Sequence, residues 1–234
     1  MNDLITLNKV TKEYRDNSVP VRALSEIDLT IEKGEFTVIA GPSGSGKSTL
    51  LNLIGGLDRP TEGTVSVDGN DTSELSRSEL SILRLNRIGF VFQAYNLIPV
   101  LTAYENAEYV LMLQGMHLSE RKKLILGLLK TVGLEGLENR YPRELSGGQQ
   151  QRVAIARAIA PEPRLVLADE PTANVDTKTS ASLLDLMEKL NHEKDVTFLF
   201  STHDPEVMER AHRIITLRDG RVAQDVHREQ DVAP

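Results

Sequence analysis

The chain contains no cysteine, so disulfides, thiolate nucleophiles and Cys-based zinc sites are all excluded. Tryptophan is also absent and aromatic residues amount to only 4%, so its core must be packed by Val, Ile, Leu and Ala. No apolar run approaches the roughly 18–20 residues needed to span a bilayer; the longest candidates are 36–40 and 196–200. The first residues, Met1-Asn2-Asp3-Leu4, lack a basic flank and a long apolar stretch, so they do not read as a secretory signal. Lys and Arg number 27 against 34 Asp and Glu, and no like-charged run exceeds Arg121-Lys122-Lys123. Without a basic patch to hold a phosphate backbone, nucleic acid is not an expected partner. Repeats, low-complexity tracts and flexible linkers are missing too. What remains is 234 residues with 40% hydrophobic content, enough for one large globular domain or two small ones. A cytosolic address fits the absence of cysteine.

Short apolar runs bounded by Gly, Asp or Pro recur at 4–10, 36–40, 88–92, 165–168, 196–201 and 213–217. They read as buried or half-buried strands, and the helix-length stretches between them predict an α/β fold with a largely parallel sheet. Asp219-Gly220 is a hairpin signal between two C-terminal strands, which makes part of the sheet antiparallel. Asp176 is a candidate N-cap for a helix running to about Lys194, with Leu183, Leu184, Met187 and Leu190 on one stripe. From about Tyr95 to Ala160 no strand is expected. Helical spacing of Leu124, Ile125, Leu128, Leu129 and Val132, closed by Gly133, marks this stretch as a helical insert.

Gly41-Pro42-Ser43-Gly44-Ser45-Gly46-Lys47-Ser48-Thr49 follows one apolar run and precedes Leu50, Leu51, Leu53 and Ile54, the order of a strand, a Gly-rich loop and a helix. Glycines let a backbone wrap closely around a triphosphate and aim N–H groups at it, and the helix start adds positive potential. Lys47 is expected to reach the β and γ phosphates, and the Ser48 hydroxyl to ligate Mg²⁺. A second strand, 165–168, ends in Asp169 and Glu170. An NTPase needs a carboxylate at such a strand end for its metal, which suits Asp169, while Glu170 can polarise an attacking water.

Leu145-Ser146-Gly147-Gly148-Gln149-Gln150-Gln151-Arg152 narrows the field. Ser146 can cap a helix starting at Gly147 and so offer a second set of N–H groups to a phosphate. With the phosphate loop, the segment resembles the signature motif of ATP-binding cassette (ABC) ATPases, and the motifs follow the family order from about Leu4 to Gln224. The resemblance implies a P-loop NTPase fold: a RecA-like α/β core over 1–93 and 161–234, mostly parallel but with an antiparallel β part, and a helical signature subdomain over 94–160, all in one domain, 1–234. It implies a head-to-tail homodimer in which Ser146, Gly147, Gly148 and Gln149 of one chain meet the nucleotide of the other. It further implies that Gln93 approaches Mg²⁺ and the attacking water, that His203 contacts the γ-phosphate, that Asp176 is the D-loop aspartate, and that Tyr14 stacks on adenine. The residues before Asp176, Ala173-Asn174-Val175, differ from the commoner Ser-Ala-Leu.

The stretches 55–63, 93–99, 101–106 and 142–144 are similar to the group serving macrolide exporters, lipoprotein release and cell-division permeases, the LolD/MacB/FtsE-like group. For that group the implied partner is an integral-membrane permease, gripped by the segment that starts at Gln93 and ends at Tyr104, and the implied location is peripheral, at the cytoplasmic face of the inner (cell) membrane. Two readings of Tyr95, Leu97, Ile98, Pro99, Val100 and Leu101, a mostly apolar stretch, stand side by side, a grip on a permease helix or packing of the helical subdomain on the core. Alternative functions are a soluble non-transport ABC ATPase and an ATP-binding structural dimer of a cell-division-type complex.

Overall fold

The computed structural model describes residues 2–15 and 19–228. Residues 1, 16–18 and 229–234, which the expected core includes, lie outside the described residues. In chain order the elements are β1 (Asp3–Tyr14), β2 (Val21–Glu32), β3 (Phe36–Ala40), α1 (Lys47–Ile54), β4 (Glu62–Val67), β5 (Asn70–Asp71), α2 (Arg77–Arg87) and β6 (Ile88–Val91). There follow α3 (Ala103–Leu113), α4 (Leu118–Thr131), a 3₁₀ turn (Pro142–Glu144), α5 (Gly147–Ile159), β7 (Leu165–Asp169), α6 (Thr177–Lys194), β8 (Thr197–Ser201), α7 (Pro205–Arg210), β9 (Arg213–Arg218) and β10 (Arg221–His227). By its internal contacts the chain divides into two units, Met1–Ser81 with Thr197–Pro234, and Ile82–Val196.

The first unit holds an antiparallel sheet in the order β2-β1-β4-β5. Its apolar face comes from alternation: Ile5 and Leu7 in β1, Ile27, Leu29 and Ile31 in β2, and Val65 and Val67 in β4 are all buried. The β1–β2 ladder shifts register around Val10, close to the left-handed residues Lys9 and Glu26, a bulge that bends the ladder. In the same unit β3 pairs in parallel with both β8 and β9, and β10 returns antiparallel to β9. The expected turn is there: Asp219 and Gly220, both at positive φ, join β9 to β10 as a two-residue hairpin loop. Three of the five phenylalanines cluster here, with the Phe36 ring 5.7 Å from that of Phe198 and 4.6 Å from that of Phe200.

Arg213 ties this unit together from a buried position. Its guanidinium donates to both oxygens of Asp225 (2.8 and 2.7 Å), to Glu35 (3.1 Å) and to the Thr30 carbonyl (2.8 Å), joining β9 to β10, to β2 and to the entry of β3. The hydrogen bonds from Arg213 hold the Asp225 carboxyl below its ordinary range.

In the second unit β6 and β7 pair in parallel, Ile88 opposite Leu165 and Val91 opposite Ala168. Residues 94–160 contain helices and the 3₁₀ turn but no strand. Side-chain caps start the helices, His117 accepting from the Ser119 N–H at α4 among them. Thr102 and Glu105 form a capping box at α3, Ser146 and Gln149 do so at α5, and Asp176 caps α6 by accepting from the Thr179 N–H. Gly133, at φ +75, follows the Val132 cap of α4. Arg152 donates to the Val132 carbonyl and the Ser182 hydroxyl, both at 2.7 Å, so α5 holds the end of α4 and the start of α6.

Replacing Arg213 with Ala removes one partner from a buried ionic cluster, and the expected loss in urea unfolding at pH 7 is about 3 kcal/mol. Because the Asp225 carboxyl is depressed only in the folded state, its contribution is present above the ordinary carboxylate range and lost as pH falls through the folded value. The gap between wild type and Arg213→Ala should therefore narrow on acidification, and a constant gap down to pH 3 would contradict this account.

Candidate functional site

In the first unit the phosphate-loop sequence forms the turn between β3 and α1. Gly41 sits at φ +146, where a Cβ would lie 2.3 Å from the Leu217 carbonyl and 2.8 Å from the Ser45 hydroxyl, so no side chain fits. Lys47 is buried in the first turn of α1, its ammonium held by the carbonyls of Gly41 (2.8 Å) and Pro42 (3.0 Å). Ser45 is also buried and its hydroxyl has no hydrogen-bond partner; a phosphate oxygen is the kind of group that would satisfy it. Ser43, Gly44 and Ser48 are exposed, and Gly46 and Thr49 are half-buried.

His203 follows the neighbouring parallel strand. Ile39 lies opposite Ser201, and the Thr202 N–H donates to the Ile39 carbonyl at 3.2 Å, so the phosphate loop and the exposed His203 leave the carboxyl ends of adjacent strands at one level. This is where open α/β sheets present ligand-binding loops. Tyr14, at the end of β1, is 42% exposed. Its hydroxyl donates to Asp58 at 3.0 Å, and Lys12, itself 2.7 Å from Asp58, stands 4.8 Å from the ring centroid. Partial burial works to raise the Asp58 carboxyl, but hydrogen bonds from Lys12, the Arg59 N–H and Tyr14 outweigh it and hold it low. Asp58 thus fixes the orientation of Tyr14.

The second unit repeats the arrangement at β6 and β7. Gln93, exposed, follows β6, and Asp169 and Glu170 end and follow β7. Glu170 adopts φ +46, an uncommon backbone for a residue with a Cβ. The next peptide is gripped from α5, because the fully buried Gln151 donates to the Pro171 carbonyl at 2.6 Å. At the start of α5 the Ser146 hydroxyl accepts from Gln149 N–H at 3.3 Å and the Gln149 side chain accepts from Ser146 N–H at 2.9 Å. Gly147 and Gly148 permit a close approach: a Cβ on Gly147 would lie 2.8 Å from the Tyr95 hydroxyl, and one on Gly148 would lie 2.4 Å from the Thr179 methyl. Thr179 in turn donates to Asp176, whose carboxyl these bonds hold below its ordinary value.

The segment 93–104 is shaped by a residue to which sequence reasoning assigned no role. Asn106 is fully buried; its amide oxygen accepts from the Ile98 N–H, and its nitrogen donates to the carbonyls of Ile98, Leu101 and Thr102. Val100 is left 76% exposed, and Leu97, Ile98 and Leu101 are half-buried. Burial and the Glu108 carboxylate push the Tyr104 phenol up to about 12. Asn106, Gln151, Asp58 and Arg157, which donates to the carbonyls of Tyr95 and Asn96, all hold functional loops through polar contacts. Their only sequence signal is a polar residue inside an otherwise apolar or motif-bearing stretch.

A Gly-rich loop between strand and helix, acidic residues at a second strand end and a capped glycine-started helix define a nucleotide-binding cassette of the P-loop type. The chain belongs to the ABC transporter family, whose pattern it matches over residues 24–173. It is 48% identical over 222 residues to the lipoprotein-releasing system ATP-binding protein LolD of Anaeromyxobacter dehalogenans, covering 94% of this chain and 93% of that one. It is 46% identical over 230 residues to the macrolide export ATP-binding/permease protein MacB of Hyphomonas neptunium, spanning 98% of this chain but 36% of that longer protein. The cassette MJ0796 of Methanocaldococcus jannaschii, solved as a dimer bound to ADP and Pi, superposes with a TM-score of 0.89 at 48% identity over 95% of this chain and 98% of that one. The fold is accordingly that of an ABC ATPase.

Gly148→Ala should cost about 1–3 kcal/mol by overpacking against Thr179. Thr179→Ser, which removes the clashing methyl, should recover part of that loss in the double variant. Strictly additive unfolding free energies would show that the two positions do not press on each other.

Proposed function

We propose that the chain is the ATP-binding and ATP-hydrolysing subunit of a membrane ABC transporter, working as a head-to-tail homodimer on a separate permease. The observation that carries this reading is that the chain has two helix N-termini suited to phosphate, α1 in one unit and α5 in the other. One nucleotide can then bridge two chains, held by the 41–49 loop of one and by Ser146, Gly147, Gly148 and Gln149 of its partner. The dimeric, ADP- and Pi-bound state of MJ0796 supports it.

In this reading Tyr14 stacks on adenine, Lys47 binds the β and γ phosphates, and Asp176 contributes to the dimer contact. Ser48, Asp169 and Gln93 offer a hydroxyl, a carboxylate and an amide oxygen, hard donors of the type Mg²⁺ takes together with phosphate oxygens. Mg²⁺, when bound, neutralises charge on the transferring phosphoryl group. Glu170 polarises the attacking water, and Lys47 and His203 counter the negative charge that develops. ATP binds the closed dimer better than the open one, so binding closes it and hydrolysis lets it open.

Among the described residues no helix is long and apolar enough to cross a membrane, which fits a permease carried on another polypeptide and a peripheral place at the cytoplasmic face of the cell membrane. The exposed Val100 and the half-buried Leu97, Ile98 and Leu101 suit a grip on an apolar helix of that permease, and dimer closure would move the segment and its cargo-handling partner together. LolD and MacB are similar proteins whose names tie them to lipoprotein release and macrolide export.

Glu170→Gln should keep ATP affinity, lower kcat by at least about 100-fold, and elute as a dimer in ATP and Mg²⁺. A fully active monomer under those conditions would refute the assignment. Lys47→Ala should instead weaken ATP binding measured by calorimetry, and unchanged affinity would remove the phosphate loop from the site.

A further inference from the structure

Residues 93–96 leave β6 in a turn that proteins rarely build without glycine. Tyr95 (φ +58) and Asn96 (φ +49) are consecutive left-handed residues, and such strain persists only where the surroundings over-determine it. Three side chains do so here. Arg157 of α5 donates to the carbonyls of Tyr95 (2.9 Å) and Asn96 (2.5 Å), the Asn174 amide donates to the Gln93 carbonyl at 2.8 Å, and the Tyr95 hydroxyl donates to the Asn174 carbonyl at 3.1 Å. The last two bonds join the same two loops in opposite senses: one loop's side chain holds the other loop's backbone, and the reverse. Asn174 lies between Glu170 and Asp176, and it is one of the positions where this chain departs from the commoner Ser-Ala-Leu; an Ala there has no amide to donate. The pair also abuts the start of α5, since the Tyr95 hydroxyl and the Asn174 carbonyl are the atoms that a side chain on Gly147 would strike.

We propose that Asn174, paired with Tyr95, is a positioning residue that latches the loop carrying Gln93 to the loop between Glu170 and Asp176, so that the two adopt one state together. The inference rests on the reading of the chain as a Mg²⁺-dependent ATPase and adds the residue that keeps Gln93 in register with Glu170. Neither latch residue belongs to the phosphate loop, so breaking the latch leaves ATP binding alone and slows the hydrolytic step. Both bonds lie on exposed loops, where one hydrogen bond is worth roughly a factor of five; the latch is weak enough to break within a turnover.

The test compares steady-state ATP hydrolysis by the full chain and its variants, with ATP and MgCl₂ titrated separately and folding checked by urea unfolding. Asn174→Ala should lower kcat about fivefold, raise the Mg²⁺ concentration at half-saturation, and leave KM for ATP unchanged while the chain still unfolds cooperatively in urea. Asn174→Asp, equal in size but without the donor, should behave like Asn174→Ala. Tyr95→Phe should act in the same direction, and Tyr95→Phe combined with Asn174→Ala should lose no more than Asn174→Ala alone, because both bonds serve one latch. The latch is overturned, with the ATPase reading intact, by wild-type kcat and Mg²⁺ dependence in Asn174→Ala, by additive losses in the double variant, or by a loss of ATP affinity as large as the loss of kcat. A wild-type chain without ATP turnover overturns the ATPase reading itself, and the latch with it.

Discussion

The chemistry of this chain depends on the register of two parallel strand pairs. Ile39 stands opposite Ser201 in one unit, and Val91 opposite Ala168 in the other. Parallel pairing ends both strands of a pair on the same side, so whatever follows them emerges side by side. The phosphate loop and His203 are neighbours for that reason, and so are Gln93 and the acids Asp169 and Glu170. A slip of one residue in either ladder would turn strand side chains to the opposite face and separate the loops. Across the β3–β8 pair, whose residues are all buried, the Phe36 ring packs against those of Phe198 and Phe200, a contact that such a slip would break.

The signature helix is organised by a different constraint, the lack of room at its start. Gly147 and Gly148 are pressed against Tyr95, Asn174 and Thr179, while Ser146 and Gln149 satisfy each other across the first turn. Further along, Gln151 reaches the peptide after Glu170 and Arg157 reaches the peptides after Gln93. One helix thus touches each loop of its unit that bears a candidate site residue. Polar contacts perform this work because an apolar contact would hold a loop near a helix without fixing its orientation.

Much of this was legible in the linear sequence, and the parts that were not have physical reasons. The phosphate loop, the acidic strand end and the caps at Ser146 and Asp176 are local patterns, in which neighbouring residues meet one another's needs. β2 escaped the strand reading although Ile27, Leu29 and Ile31 alternate, since the bulge at Glu26 breaks the period just where the run begins. α2 is mostly polar and buries only Leu80 and Leu83, too thin a stripe to stand out. Nothing in the sequence marks Asn106 or Gln151 as buried, because burial of an amide is rewarded only by carbonyls that the fold brings to it. Asn174 and Gln93 lie 81 positions apart, and no periodicity links them.

The chain route of the first unit has a consequence for synthesis. Its central strand β3 is flanked by β8 and β9, both contributed by the segment beyond residue 196. At about 5–20 residues per second, a ribosome needs roughly 9–36 s after completing β3 to deliver both neighbours. For that interval the strand FTVIA has both backbone edges unpaired and Phe36 uncovered, which is the condition under which nascent chains associate wrongly. The intervening unit, Ile82–Val196, is meanwhile complete, so the nucleotide loop of the newborn protein is the last of its working parts to acquire a finished foundation.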